Sequence, residues 1–195
     1  SLTMTLARLP TIAAGLWYGP RAVAVISIAL SISELQSSLP QMRSAITFSD
    51  AAKQAEPRLG KAYFAPALKL LLVGTLIVIV VGLAASAILG GDYSHMWVFV
   101  LLVSPGVAAM ALAASGINVL AVRHQYLWSG ALLGAACVLA WAGLWMTKNE
   151  EYLGIATWSL ISLLAGATIC WLASQMPQTN QQIDQRPDGR NRARG

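Results

Sequence analysis

Long apolar runs separated by short polar intervals dominate this chain. A helix that crosses a bilayer needs ~20 mostly apolar residues. Six runs are candidates, at 2–18, 22–46, 66–89, 96–122, 127–146 and 152–174. The first is short and interrupted by Arg8 and Pro10, and reads as a truncated helix. The third is the most uniformly apolar. The fourth is broken by Ser104, Pro105 and Gly106, which predicts a kink or an unwound turn because proline lacks the donor that continues a helix. The short intervals favour antiparallel neighbours. The pattern predicts an all-α integral membrane bundle of about six spans over residues 1–175. A polar tail, 176–195, rich in Gln, Asn, Arg and Pro, is expected to be disordered.

The second run differs from the rest. Ser27, Ser31, Glu34, Ser38 and Gln41 recur at steps of four, three, four and three. At ~3.6 residues per turn they share one helix face. Val25, Ile26, Ile28, Ala29, Leu30, Ile32 and Leu35 occupy the other faces. The run is therefore an oily rod with one polar ridge, and a carboxylate stands at the middle of that ridge.

Composition places the chain in lipid. Of its 195 residues 56% are hydrophobic and 11% charged, against roughly 25% charged in soluble domains. The net charge of +5 is unevenly spread. Arg43, Lys53, Arg58, Lys61, Arg123 and the tail arginines fall at alternate ends of the runs, leaving Arg21 and Lys148 at the other ends. The positive-inside rule then assigns the loop 43–61, Arg123 and the tail to the cytoplasm. No interleaving of basic and aromatic residues suggests nucleic acid. Cys137 and Cys170 lie inside apolar runs and read as small packing residues. Trp17, Trp97, Trp128, Trp145 and Trp158 stand near run ends, where they read as interfacial anchors or, alternatively, as sugar-stacking surfaces. The chain opens on Ser1 directly before an apolar run and shows no signal-peptide pattern, which reads as a fragment of a longer protein.

Candidate chemistry is sparse. His95 and His124 fall at opposite ends of the runs, so no metal cluster is expected. No nucleophile elbow, phosphate loop or carboxylate pair within one helix is present, which points away from an enzyme. Glu34 is the main candidate. An ionisable group near mid-bilayer costs at least ~2.5 kcal/mol on insertion scales, so it faces water, a partner or the protein interior. Two readings stand. Glu34 is protonated or hydrogen-bonded to Ser31 and Ser38 and fixes helix packing. Or the ridge lines a hydrated cavity, where Glu34 binds a cation, a proton or substrate hydroxyls and Gln41 and the serines serve a sugar. Arg8 either faces that cavity, where a guanidinium suits a diphosphate, or snorkels to head groups. Asn118, with Ser115, forms a second polar face that either hydrogen-bonds between helices or lines the cavity. Gly130 and Gly134 form a GxxxG pair, and they, with Gly74, Gly82, Gly116, Gly143 and Gly166, read mostly as close helix contacts.

Four segments together resemble one family. LWYGPRAVAVISIALSISELQSSLPQMRSAITF is similar to a helix, a Gly-containing turn and a following helix of bacterial polysaccharide flippases. AILGGDYSHMW resembles that family's turn after the next helix, INVLAVRHQYLW its Asn-containing helix end and basic loop, and EEYLGIATWSLIS its last loop and helix. The resemblance is to the polysaccharide branch of the multidrug, oligosaccharidyl-lipid and polysaccharide exporters, and spans most of residues 1–175. It implies one lobe of a transporter with 12–14 spans in two pseudo-symmetric bundles, the C-terminal lobe here, without its N-terminal partner. It implies translocation of a polyprenyl-diphosphate-linked oligosaccharide across a bacterial inner membrane, by rocking of two bundles around a cationic cavity. Arg8, Ser27, Ser31, Glu34, Ser38, Gln41 and Asn118 would line the cavity, with no cofactor beyond a coupling proton or sodium ion. The alternatives are a cation-coupled multidrug exporter of the same superfamily, a motif-poor membrane transferase, and a non-transporting membrane subunit.

Overall fold

The computed structural model describes residues 2–53, 61–122 and 126–175. Among them there are helices and turns and no strand. Helix α1 (Leu2–Ala13) runs into a π-helical turn, Ala14–Tyr18, and α2 (Pro20–Lys53) follows at once. Then come α3 (Lys61–Leu89), a 3₁₀ turn at Gly91–Tyr93, α4 (Met96–Val122), α5 (Tyr126–Met146) and α6 (Glu151–Gln175). Four segments are long and apolar enough to cross a membrane: Leu68–Leu89, Met96–Asn118, Leu127–Met146 and Glu151–Gln175, with mean hydropathies of 2.7, 2.1, 1.7 and 1.8. The chain is a multi-pass, all-α membrane protein.

Helix α4 stands at the centre, packed most extensively on α6 and also on α2 and α3, while α5 packs on α6 and α1. Small residues let α4 and α6 approach closely. A β-carbon at Gly166 would lie 2.6 Å from the Ala109 carbonyl oxygen, and one at Gly106 would lie 2.9 Å from the Trp158 ring. Helix α3 is peripheral. Leu72, Leu76, Ile77 and Val80 on its outer side are more than half exposed, as a lipid-facing surface requires. A β-carbon at Gly130 or Gly134 would meet nothing within 4 Å, so this pair makes no close helix contact among the described residues.

Both prolines that break the hydrophobic pattern are accommodated inside helices. Pro10 cannot donate to the Leu6 carbonyl one turn back, and the indole N–H of Trp158 donates to it instead, at 2.8 Å. Pro105 leaves the Leu101 carbonyl without its usual donor, and the Ser104 hydroxyl donates to it at 3.5 Å. The next amide, Gly106, donates to the Ser159 hydroxyl on α6 at 3.0 Å. Helix α4 therefore continues through 104–106, so of the two outcomes the sequence predicts, a kink or an unwound turn, the unwound turn does not form. Supplying partners from other side chains keeps the helix intact without its full backbone ladder.

Two other expectations change. Of the loop expected at 43–61, the described residues 43–53 and Lys61 are helical, because α2 extends to Lys53 and α3 begins at Lys61; 54–60 lie outside the described residues. No Gly or Pro occurs between Pro40 and Lys53 to stop α2. Trp158, which by sequence is an anchor near a run end, is fully buried beneath α1. The joint between α1 and α2 is the Gly19-Pro20 pair. Gly19 takes φ +89°, which favours glycine, and Pro20 opens α2 at the position where a missing N–H is harmless.

Candidate functional site

Helix α2 carries polar residues on two faces, and the bundle treats them differently. Ala22, Val25, Ile26, Ala29, Leu30, Ser33, Gln36 and Ser37 are buried. Their spacing of three and four marks the face turned to α3 and α4. At its lower end this face becomes polar. The Gln36 amide donates to the Ser104 carbonyl at 2.7 Å, and its oxygen accepts from the Thr75 hydroxyl at 2.9 Å. Gly74 makes room, since a β-carbon there would stand 3.0 Å from Gln36. The result is a closed polar crossing that ties α2 to α3 and α4 beside the Pro105 break. Sequence reasoning does not single out Gln36. A signal exists all the same: Ser33, Gln36 and Ser37 form a second polar column with helical spacing.

The other face carries Glu34. Its carboxylate lies 3.7 Å from the Arg8 guanidinium of α1, and the two side chains are 43% and 55% exposed. That distance is an ion pair but too long for a hydrogen bond, so both groups keep hydrogen-bonding capacity. They flank an open cleft of about 520 Å³. Met4 and Ala7 of α1, Ser37 and Ser38 of α2, and Val107 and Met110 of α4 form its walls, with Trp158 also facing it. Trp158 thus does two things: it holds α1 through Leu6 and closes one side of the cleft. Val107 lies three turns into α4, ~16 Å from its start at 1.5 Å per residue.

Among the described residues, four of the column fall in two hollows. Glu34 and Ser38 border the Arg8 cleft, whereas Ser27 and Ser31 lie on a separate shallow groove of about 380 Å³ with Ile28, Ile32 and Leu35. The four share a face, but the Arg8 cleft borders only those beside α1. The serine hydroxyls are spent on their own helix: Ser31 donates to the Ser27 carbonyl at 2.9 Å and Ser38 to the Leu35 carbonyl at 2.8 Å. Asn118 is exposed two turns beyond Ala111, ~10 Å away along α4, and is not among the residues lining the cleft. The side chains of Gln41 and Arg43, Arg123 and the tail 176–195 lie outside the described residues. Among those described, no group of three or more His, Cys, Asp or Glu could hold a metal ion.

Chemically, the cleft offers one fixed cation, one carboxylate, two serine side chains and Thr3 in an otherwise mostly apolar setting. Such a site can hold an anionic group on Arg8 while Glu34 takes a hydroxyl, a proton or a small cation. Comparison with known protein families, with curated proteins and with solved structures finds no match.

Proposed function

We propose that the chain is a lobe of a transporter that moves a lipid-linked oligosaccharide diphosphate across the bacterial inner membrane. The six-helix lobe would work with a second bundle that closes the open side of the Arg8 cleft. The observation that carries this reading is the Arg8–Glu34 pair, loosely made and half-exposed beside a cleft of about 520 Å³. A pair serving only packing would be drawn to hydrogen-bonding distance and covered, because burial strengthens the attraction. Arg8 binds diphosphate oxygens in its planar fork, and Glu34 releases Arg8 as the anion arrives. A second reading follows from the same carboxylate: Glu34 as the cation or proton site of a coupled exporter.

The two readings separate on Arg8. In the full-length protein, Arg8→Ala is expected to reduce delivery of the lipid-linked oligosaccharide to the outer leaflet by tenfold or more, about 1.4 kcal/mol of binding. Arg8→Lys keeps the charge, loses the fork and falls between. Normal surface polysaccharide in both Arg8→Ala and Glu34→Gln would overturn the translocation reading. Loss in Glu34→Gln alone would favour the cation-coupled exporter.

A further inference from the structure

Three connections of the fold meet at one end of the bundle: the elbow at Tyr18, Gly19 and Pro20, the 3₁₀ turn before α4, and the turn between α5 and α6. Two adjoining hollows of about 380 and 610 Å³ open between them and share Tyr18, Glu151 and Tyr152. Neither contains a residue of the Arg8 cleft, and Arg21 lies ~20 Å from Glu34 along α2 at 1.5 Å per residue.

The aromatic walls are held in place. The Tyr152 ring stacks on Phe99 with centroids 4.8 Å apart and planes 23° apart, yet the residue stays 43% exposed. Trp17 rests on Trp141 at 5.1 Å. Tyr18 donates to the Thr147 carbonyl at 3.4 Å, and Gly154 leaves space for its hydroxyl, which a β-carbon would strike. Around these rings stand Arg21, His95, Lys148, Asn149, Glu150 and Glu151. Two cations face two carboxylates, so the lining carries no net charge that would select an anion. Supported aromatic faces beside hydrogen-bonding side chains suit a neutral, hydroxyl-rich ring: the C–H face lies on the aromatic plane and the hydroxyls meet the polar rim.

We propose that this end of the bundle is a binding cleft for sugar units, with Tyr152 as the stacking platform and Glu151 as a hydroxyl acceptor. The proposal deepens the translocation reading and rests on it for the natural source of the sugar. The Arg8 cleft takes the diphosphate end of the substrate, and this cleft takes its oligosaccharide end.

The test uses the full-length protein in lipid nanodiscs, titrated calorimetrically with two soluble probes, an N-acetylglucosamine tetrasaccharide and maltotetraose. Saturable millimolar binding of at least one probe is expected. Tyr152→Leu weakens it tenfold or more, about 1.4 kcal/mol, Glu151→Gln weakens it several-fold, and Tyr152→Phe retains it. An unchanged thermal unfolding midpoint in Tyr152→Leu excludes general unfolding as the cause of the loss. No saturable binding of either probe, or equal affinity in Tyr152→Leu, overturns the proposal. Arg8→Ala keeps the two ideas apart: it is expected to abolish translocation and leave probe binding intact. Translocation lost in Arg8→Ala without any probe binding sinks the sugar cleft alone. Probe binding with translocation indifferent to Arg8 sinks the translocation reading alone.

Discussion

Glu34 and Gln36 stand two residues apart on one helix and meet opposite fates. Gln36 is 2% exposed, with donor and acceptor both engaged across three helices. Glu34 is 43% exposed and meets Arg8 only at ion-pair distance. Two residues turn a helix by ~200°, so Gln36 faces the bundle and Glu34 its open side. The closed crossing is built for stability, since both polar ends of the Gln36 amide have the partners that water would otherwise supply. The open cleft leaves capacity unused, which is what a binding site requires and a packing interface avoids.

If that contrast is right, substitutions on the closed side should lower stability, and substitutions on the open side should change transport with little effect on stability. The largest effect is expected at Trp158. Trp158→Ala removes a fully buried ring and the donor to Leu6, costing about 3–5 kcal/mol. Trp158→Phe keeps most of the volume, loses only the donor, and should cost about 1–3 kcal/mol. Thermal unfolding in detergent would rank them; Trp158→Phe as stable as the unsubstituted protein would show that the proline-freed carbonyl does not matter. Gly166→Ala comes next. Its β-carbon would press on the Ala109 carbonyl, and overpacking of this kind costs roughly 1–3 kcal/mol. Gln36→Leu follows, at about 1–2 kcal/mol, because it removes two hydrogen bonds between helices, to the Ser104 carbonyl and from the Thr75 hydroxyl, which falls back on the Leu71 carbonyl. Arg8→Ala and Glu34→Gln should each change stability by less than about 1 kcal/mol, as half-exposed pairs do. A fall as large as that of Gln36→Leu would erase the contrast. The smallest effect belongs to Ser33→Ala. The Ser33 hydroxyl is buried without a partner, so its removal should be neutral or slightly stabilising.

Four of the six expected spans, those in α3 to α6, are legible in the sequence because apolar length alone identifies them; the runs at 2–18 and 22–46 form helices but are not among the segments long and apolar enough to cross a membrane. The site is legible only in part. Arg8 and Glu34 stand out because charges are rare in such runs. The period of α2 shows which residues share a face, but not which neighbour that face meets, so it groups Ser27 and Ser31 with Glu34. Gln36 escapes notice because a lone amide between apolar and small residues carries little signal until Gly74 and Thr75 of a distant helix come beside it. Trp158 is misplaced for a similar reason. Its position near the start of α6 resembles an anchor, and only the carbonyl freed by Pro10 explains its burial.

The central claim, that the Arg8–Glu34 side of α2 opens on a hydrated cleft, is tested most directly by thiol accessibility. In the full-length protein with Cys137 and Cys170 replaced by alanine, Ser38→Cys in the cleft and Val80→Cys on the outer side of α3 would be treated with a charged, membrane-impermeant methanethiosulfonate in opened vesicles. Rapid labelling at position 38 and none at position 80 is the predicted result. Position 38 as unreactive as position 80 would contradict the account.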